Sequence, residues 1–100
     1  MSAKRPAYVI AEVEVTDPAV FQEYVAQAIP TLAQYNARII VRAKPETKEG
    51  AHAVGDIVIA VFDSMEDAQS WYHAAEYTAA ISVRQRAAKT RLMIVEGEPV

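Results

Sequence analysis

The segment over residues 56–62 constrains the fold of this chain more than any other. After Asp56 it reads Ile-Val-Ile-Ala-Val-Phe, so both alternating faces of an extended strand would be apolar. Successive side chains of a strand point to opposite faces, and a strand that is apolar on both is typical of a central position. We therefore predict a sheet that carries helices on one face and is also covered on the other.

Three further segments have strand patterns. Residues 7–15 alternate between two sets of side chains, which we predict to point to opposite faces of the sheet. One set is Val9, Ala11, Val13 and Val15, and the other is Tyr8, Ile10, Glu12 and Glu14. Residues 37–43 and 90–96 give a second and a last strand, and the polar residues 44–55 between two of the strands predict a hairpin loop.

The first helix signal follows the first strand. The run Thr16-Asp17-Pro18 predicts a helix start, because Asp17 can cap free backbone N–H groups and proline suits the first helical position. Pro30 removes one intrahelical hydrogen bond, so we predict a kink near residues 26–30. Asn36 suits a left-handed residue at the end of this helix.

A second helical region follows the central strand. Ser64 with Asp67 three residues later resembles a capping box, with aspartate in place of the usual glutamate. The helix that begins there carries Trp71 and Tyr72, and a further helical segment carries Tyr77 and Arg84 on one side.

The order strand, helix, strand, strand, helix, strand predicts an α+β domain of ferredoxin-like βαββαβ topology. Its four strands form an antiparallel sheet with the helices on one face. We expect one domain over residues 7–97, a flexible N-terminal arm over residues 1–6 and a C-terminal tail over residues 98–100.

Composition excludes several classes of function. The chain of 100 residues has no cysteine, which removes disulfides, thiolate catalysis and cysteine-bound metals. A net charge of −3 gives no general attraction to nucleic acid or to an anionic membrane. No stretch is apolar for the roughly 20 residues of a membrane span, and no signal segment is legible, so we predict a cytoplasmic protein.

The face of the sheet opposite the helices would be apolar too. In the third strand Ile57, Ile59 and Val61 alternate with Val58, Ala60 and Phe62, and the last strand is likewise apolar on both faces. An exposed patch of that size is unusual for a monomer, so we predict a homodimer in which a second copy covers it.

The chain resembles the domain of unknown function 1330 family, within the dimeric α+β barrel superfamily. The resemblance runs from about residue 7 to residue 97 and rests on the order and spacing of short motifs. They are Tyr8-Val9-Ile10-Ala11, Val15-Thr16-Asp17-Pro18, Pro30-Thr31-Leu32-Ala33, Tyr35, Val41-Arg42, Phe62-Asp63-Ser64-Met65-Glu66, Trp71-Tyr72, Glu76-Tyr77, Arg84-Gln85 and Glu96-Gly97.

This resemblance implies a homodimer whose two sheets pack face to face, and it implies no established chemistry. Relatives in the superfamily include cofactor-free monooxygenases, haem enzymes, lactone isomerases and ligand-sensing domains, so the fold alone decides little. The chain departs from the family at Asn36, Ala37 and Ala43, where glycine is frequent, and at Ala74-Ala75, where a serine-proline pair is frequent.

Arg84 is the charged residue of greatest interest. It lies on an apolar helical stripe that points it towards the core, where an arginine needs a carboxylate or an anionic ligand. A structural ion pair, with Glu12 or Glu14 as first candidates, and a ligand anchor are both open. The neighbouring Arg86 and Lys89 suit a helix C-terminus and do not by themselves form a nucleic-acid surface.

Two other groups of side chains have ordinary explanations. Glu12 and Glu14 share a face and could do acid–base work, but pairing with Arg38 or Arg42 across the sheet is the favoured reading. His73 and Glu76 are spaced like ligands on one face of a helix. Because His52, the other histidine, lies in the long loop, a solvated helix face is favoured and no metal or other cofactor is predicted.

The leading functional prediction is a small molecule, partly apolar or acidic, bound between helices and sheet. The candidate binding residues are Arg84, Tyr24, Trp71, Tyr72, Tyr77, Arg42, Glu12 and Glu14. Two alternatives stay open: a cofactor-free monooxygenase-like or isomerase-like enzyme, and a dimerisation module whose cleft is filled by aromatic side chains. Catalytic residues cannot be assigned from the sequence.

Overall fold

A computed structural model describes residues 4–100. Residues 1–3, half of the predicted arm, lie outside the described residues. The elements follow the order β1 (Ala7–Val15), α1 (Pro18–Gln34), β2 (Arg38–Ala43), β3 (Asp56–Phe62), α2 (Met65–His73), α3 (Ala75–Ala87) and β4 (Ala88–Glu96).

The four strands form one antiparallel sheet in the order β2-β3-β1-β4. This order confirms the α+β ferredoxin-like prediction and places the doubly apolar β3 inside the sheet. The predicted bounds of β1 and β3 agree with the structure, whereas β2 begins one residue later and β4 two residues earlier than predicted.

The earlier start of β4 has a structural cause at the end of α3. The carbonyl of Ala87 accepts hydrogen bonds from the backbone N–H groups of Thr16 and Asp17, at 2.8 and 3.0 Å. Ala88 lies opposite Val15 in the β1–β4 register, so the chain passes from helix to strand without a loop. A β4 of nine residues therefore matches β1 along its whole length.

The N-terminal caps of α1 and α2 are those expected from the sequence. The Asp17 carboxylate accepts a hydrogen bond from the Val20 N–H at 3.2 Å, and the Ser64 hydroxyl accepts one from the Asp67 N–H at 3.0 Å. Pro30 lies inside α1, which continues to Gln34. The kink that Pro30 predicts stays a prediction.

Register divides the sheet into two faces with different surroundings. Val9, Ala11 and Val13 of β1 are buried under the helices, as are Ala60 and Phe62 of β3. Tyr8 and Ile10 lie on the other face, which we call the open face, opposite Val61 and Ile59 of β3.

The open face continues onto both edge strands. In β4, Val95 and Met93 lie opposite Tyr8 and Ile10 and are 45% and 43% exposed. In β2, Val41 lies opposite Ile59 and is exposed. The open face therefore carries an apolar row across all four strands, formed by Val41, Ile59, Ile10 and Met93.

The core lies between the helices and the covered face of the sheet. Tyr77 and Phe62 are its largest fully buried side chains, and Trp71 is almost as deeply buried. The Trp71 ring packs on Tyr77 with centroids 3.9 Å apart and on Phe62 with centroids 5.3 Å apart. These three aromatic side chains thus pack α2, α3 and β3 together in one cluster.

The described part of the predicted arm runs beside the predicted tail. The Gly97 N–H donates to the Pro6 carbonyl at 2.7 Å, and the Val100 N–H donates to the Lys4 carbonyl at 2.9 Å. Gly97 cannot carry a side chain without disturbance, because a Cβ there would meet the Tyr8 ring at 2.6 Å. Among the described helices, none has the length and apolar character to cross a membrane.

Asn36 provides a test of the turn between α1 and β2. Its φ of 56° places it in the left-handed region, where a Cβ is costly and glycine is not. We expect Asn36→Ala to lower the free energy of unfolding by about 1 kcal/mol and Asn36→Gly to leave it unchanged or raise it. Thermal or urea unfolding of the pair measures this, and equal losses in both variants would contradict the assigned conformation.

Candidate functional site

A cavity of about 110 Å³ lies between α1, α3 and the helix-covered face of the sheet. Its walls are mostly aliphatic and come from β1, β3, β4 and α1, with Trp71 at one side. The polar side chains that line it are Tyr24, Arg42, Asp56, Tyr77, Arg84 and Thr90. This is the cleft predicted from the sequence, and five of the eight candidate residues line it: Tyr24, Arg42, Trp71, Tyr77 and Arg84.

Helix α3 brings Tyr77 and Arg84 to this cavity together. The two residues are seven apart, which is close to two full turns, so they lie on one face of the helix. Tyr77 is fully buried and Arg84 is only 8% exposed. The prediction that Arg84 points towards the core is therefore confirmed.

Tyr24 of α1 completes a hydrogen-bonded chain with these two residues. Arg84 Nη1 donates to the Tyr77 hydroxyl at 2.7 Å, and the Tyr77 and Tyr24 hydroxyl oxygens are 2.8 Å apart. A guanidinium can only donate, so the Tyr77 oxygen accepts from it and the Tyr77 proton is free to go to Tyr24. The guanidinium also lies 5.8 Å from the centre of the Tyr24 ring, within the range of a cation–π contact.

The environment of Tyr77 keeps its hydroxyl protonated. Burial raises the pKa of Tyr77 far above its ordinary value, and the neighbouring Tyr24 hydroxyl raises it further. The Arg84 charge lowers that pKa, but it does not overcome burial. Tyr77 thus places a neutral hydroxyl between the Arg84 guanidinium and the Tyr24 hydroxyl.

Arg84 has no counter-charge in the part of the chain that the structure describes. The ion pairs found among residues 4–100 involve other cations, and the Nε of Arg84 is buried without a hydrogen-bond partner. A buried cation without a partner is costly, because desolvation is not offset by a nearby negative charge. The alternative in which Arg84 forms an ion pair with a carboxylate of residues 4–100 is therefore wrong.

Glu12 and Glu14 are not near Arg84, so the prediction of an Arg84–Glu pair is wrong. Both belong to the alternate set of β1 side chains, which points to the open face. Glu12 lies opposite Arg91 of β4, and their charged groups are 3.7 Å apart. Pairing with Arg38 or Arg42 is wrong as well, because β3 separates β2 from β1.

Arg42 reaches the cavity through an irregularity in β2. The register shifts between Ile39 and Val41, so that Ile39 lies opposite Ala60 and Arg42 lies opposite Val58. Ala60 and Val58 both belong to the helix-covered face, and the shift places Arg42 there too. Arg42 is exposed, which puts its charge at the open end of the cavity.

The contacts of Trp71 and Tyr72 are those of packed core side chains. The Trp71 indole N–H donates to the Thr31 hydroxyl at 2.9 Å, and that hydroxyl donates to the Ala28 carbonyl at 2.6 Å. Trp71 therefore offers the cavity its ring but no free donor. Tyr72 does not line the cavity and packs with its ring 5.9 Å from that of Tyr77.

Two polar residues of the site, Thr90 and Asp56, were not among the residues predicted from the sequence. Thr90 Oγ1 is buried without a hydrogen-bond partner, and Thr90 lines the cavity. Asp56 lines it at the start of β3. The strand pattern alone gives the signal for Thr90, because the residue falls opposite Val13 on the covered face.

The described residues contain no group of three or more histidine, aspartate or glutamate side chains placed to hold a metal ion. The His73 ring packs edge-on against Tyr72 with centroids 5.3 Å apart.

Tyr77→Phe tests the hydrogen-bonded chain. The change removes the hydroxyl that accepts from Arg84 and contacts Tyr24, so a buried donor is left unpaired, and we expect a loss of about 1–3 kcal/mol in the free energy of unfolding. Tyr72→Phe is the matched control, because Tyr72 is a half-buried neighbour whose hydroxyl makes no side-chain hydrogen bond among residues 4–100. Equal stability of both variants by urea unfolding would count against the chain.

Comparison with solved structures gives the same fold at low sequence identity. A protein of unknown function from Rhodopseudomonas palustris superposes with a TM-score of 0.77 at 14% identity, over 97% of this chain and 85% of that one. SnoaB, a cofactor-independent oxygenase from Streptomyces nogalater, gives a TM-score of 0.65 at 12% identity, over 98% and 97% of the two chains.

A proposed antibiotic biosynthesis monooxygenase from Caulobacter crescentus gives a TM-score of 0.62 at 14% identity, over 98% and 92% of the two chains. No curated protein matches the sequence. The model of the family described as domain of unknown function (DUF1330) matches residues 6–98. The chain therefore belongs to the DUF1330 family, and its fold is shared with ferredoxin-like proteins of the monooxygenase type.

Proposed function

We propose that this domain binds a small, partly apolar, acidic molecule in the cavity between α1, α3 and the sheet. The observation that carries the proposal is Arg84: a guanidinium buried beside a mostly aliphatic cavity, with no carboxylate of residues 4–100 within ion-pair distance. An anionic ligand would supply the missing charge, and the aliphatic walls would bury its apolar part.

The size of the cavity favours a ligand over a purely structural role. A dimerisation module without a ligand was expected to fill this cleft with Trp71, Tyr24 and Tyr72. Instead Trp71 and Tyr24 form walls around about 110 Å³, and Tyr72 lies outside the lining. The cavity is smaller than the roughly 150 Å³ that encloses a benzene ring, so a compact ring or branched chain would fill it and extend towards the open end beside Arg42.

An enzyme of the cofactor-independent oxygenase kind is the second candidate, and the structural likeness to SnoaB favours it. Such chemistry needs a base near the substrate. The cavity lining contains no histidine, and the raised pKa of Tyr77 keeps its hydroxyl protonated, so that it is not available as a base. Asp56 is the carboxylate of the lining, so loss of any turnover in Asp56→Asn would support this candidate.

Benzoate and its neutral isostere benzamide test whether the cavity binds small molecules. Trp71, the single tryptophan, lines the cavity and reports binding through its indole N–H resonance or its fluorescence. We expect at least one of the two probes to shift the Trp71 signal saturably, because both offer a ring of suitable size.

Val25→Phe should abolish that response, since Val25 is a half-buried residue of the lining and the larger ring would fill part of the cavity while Trp71 stays the single tryptophan. Ala26→Phe is the matched control, because Ala26 is exposed on the same helix and outside the lining. If neither probe binds the unmodified protein, or if both variants respond alike, the proposal is wrong.

We also propose that the protein is a homodimer that buries the open face. Val41, Met93 and Val95 expose apolar area there, next to Tyr8 and Ile10. Charges at one end of the face are balanced within the chain, because Glu12 and Glu14 lie opposite Arg91 and Lys89. A second copy would therefore meet an apolar centre flanked by charges of both signs.

Light scattering during size exclusion at micromolar concentration should give twice the 11.0 kDa mass of the chain. Ile59→Asp places a charge at the centre of the open face and should yield a monomer or an unfolded chain, because a buried unpaired carboxylate is costly. Gln27→Asp adds the same group to an exposed position of α1 and should leave the dimer intact. A monomeric mass for the unmodified protein would overturn the proposal.

The cytoplasmic location stays a prediction from the sequence, as does the expectation that neither nucleic acid nor membrane is a partner.

A further inference from the structure

Arg84 has one edge of its guanidinium unused. Within residues 4–100 its only side-chain hydrogen bond leaves from Nη1 to Tyr77, and Nε is buried without a partner. Nε and Nη2 form the side edge of the planar group, with two parallel N–H bonds that fit the two oxygens of a carboxylate. The Tyr77 hydrogen bond holds the guanidinium through Nη1 and leaves that edge without a hydrogen-bond partner among residues 4–100.

Tyr24 supplies a second hydroxyl near the Arg84 guanidinium, which lies 5.8 Å from the centre of the Tyr24 ring. The Tyr77 oxygen accepts from Arg84, and when the Tyr77 hydroxyl donates to the Tyr24 oxygen, the Tyr24 proton is left for another acceptor. A chain of hydrogen bonds that begins at a cation polarises its last donor. Tyr24 lines the cavity, and so does Thr90, whose hydroxyl is buried and also lacks a partner.

The charge of the site limits the charge of its ligand. Arg84 is the one buried charged residue of the lining, whereas the other two, Arg42 and Asp56, have opposite charges and are exposed. One buried positive charge is neutralised by one negative charge, and a second negative charge in the same apolar surroundings would be costly. A phosphate monoester, which carries nearly two charges at neutral pH, therefore fits less well than a carboxylate.

We infer that the ligand is a monocarboxylate with a compact apolar body, bound side-on through Nε and Nη2 of Arg84 with the Tyr24 hydroxyl as a further donor. The inference rests on the proposed function of the cavity and specifies its ligand class. The body would lie against the aliphatic side chains of β1 and α1 that form the walls.

Three probes with the same ring separate the possibilities in the unmodified protein: benzoate, benzamide and phenyl phosphate. We expect benzoate to bind at least about 10-fold more tightly than either of the others, because a charge-assisted bidentate pair is lost in benzamide and the charge is mismatched in phenyl phosphate. Equal binding of benzamide would overturn the carboxylate assignment and the acidic character of the proposed ligand, and would leave only a cavity that binds small rings. Tighter binding of phenyl phosphate would overturn the carboxylate assignment and leave the proposed function, an acidic ligand in this cavity, standing.

Absence of binding by all three probes would instead defeat the proposed function together with this inference. The side-chain Nε–H resonance of Arg84 gives a readout that needs no substitution. Benzoate should shift it strongly and benzamide weakly, because only a carboxylate receives a charged hydrogen bond from Nε. A resonance that benzoate leaves unmoved while the Trp71 signal shifts would mean that the ring binds and Arg84 does not hold the acid.

Arg84→Lys tests the geometry of the edge, because lysine keeps the charge but lacks the two parallel N–H groups. We expect benzoate affinity to fall about 10-fold or more and benzamide affinity to stay within about 2-fold. Arg86→Lys is the control, since Arg86 is exposed two residues further along α3. Tyr24→Phe should weaken benzoate by about 5-fold. Unchanged benzoate affinity in Arg84→Lys would overturn the side-on contact.

Discussion

Alternation of side chains along β1 is the constraint on which the rest of the structure depends. β1 lies between β3 and β4, so its two sets of side chains set which residues of both neighbours face the helices. The cavity is lined on its sheet side by Val9, Ala11 and Val13, whereas the open face contains Tyr8 and Ile10. A shift of one residue would exchange the two sets, which is why cavity and interface depend on one register.

The buried guanidinium is the main departure from an ordinary core. Core cations are normally paired, and Arg84 is held by a neutral tyrosine hydroxyl instead. The arrangement costs stability in the free protein, and a ligand carboxylate would recover part of that cost. Tyr77 belongs to both the core and the site. Its ring packs on Trp71, while its hydroxyl is hydrogen-bonded to Arg84 and Tyr24.

Much of the fold could be predicted because its signals are local. Asp17 before Pro18, Ser64 before Asp67 and the left-handed Asn36 each act within a few residues, and all three have the predicted conformation or contact. The partners of the glutamates on β1 could not be predicted in the same way. Strand order puts Arg91 of β4, and not an arginine of β2, beside Glu12.

The sequence by itself determined the element order, the burial of Arg84 and the two-sided apolar strand, because side-chain periodicity and capping are properties of neighbouring residues. Only the tertiary structure decided which side chains surround the Arg84 guanidinium. Tyr24 is distant in sequence, and its hydroxyl reaches Tyr77 because α1 and α3 pack side by side on the sheet. Long-range pairing depends on how elements pack, and packing is set by the whole chain at once.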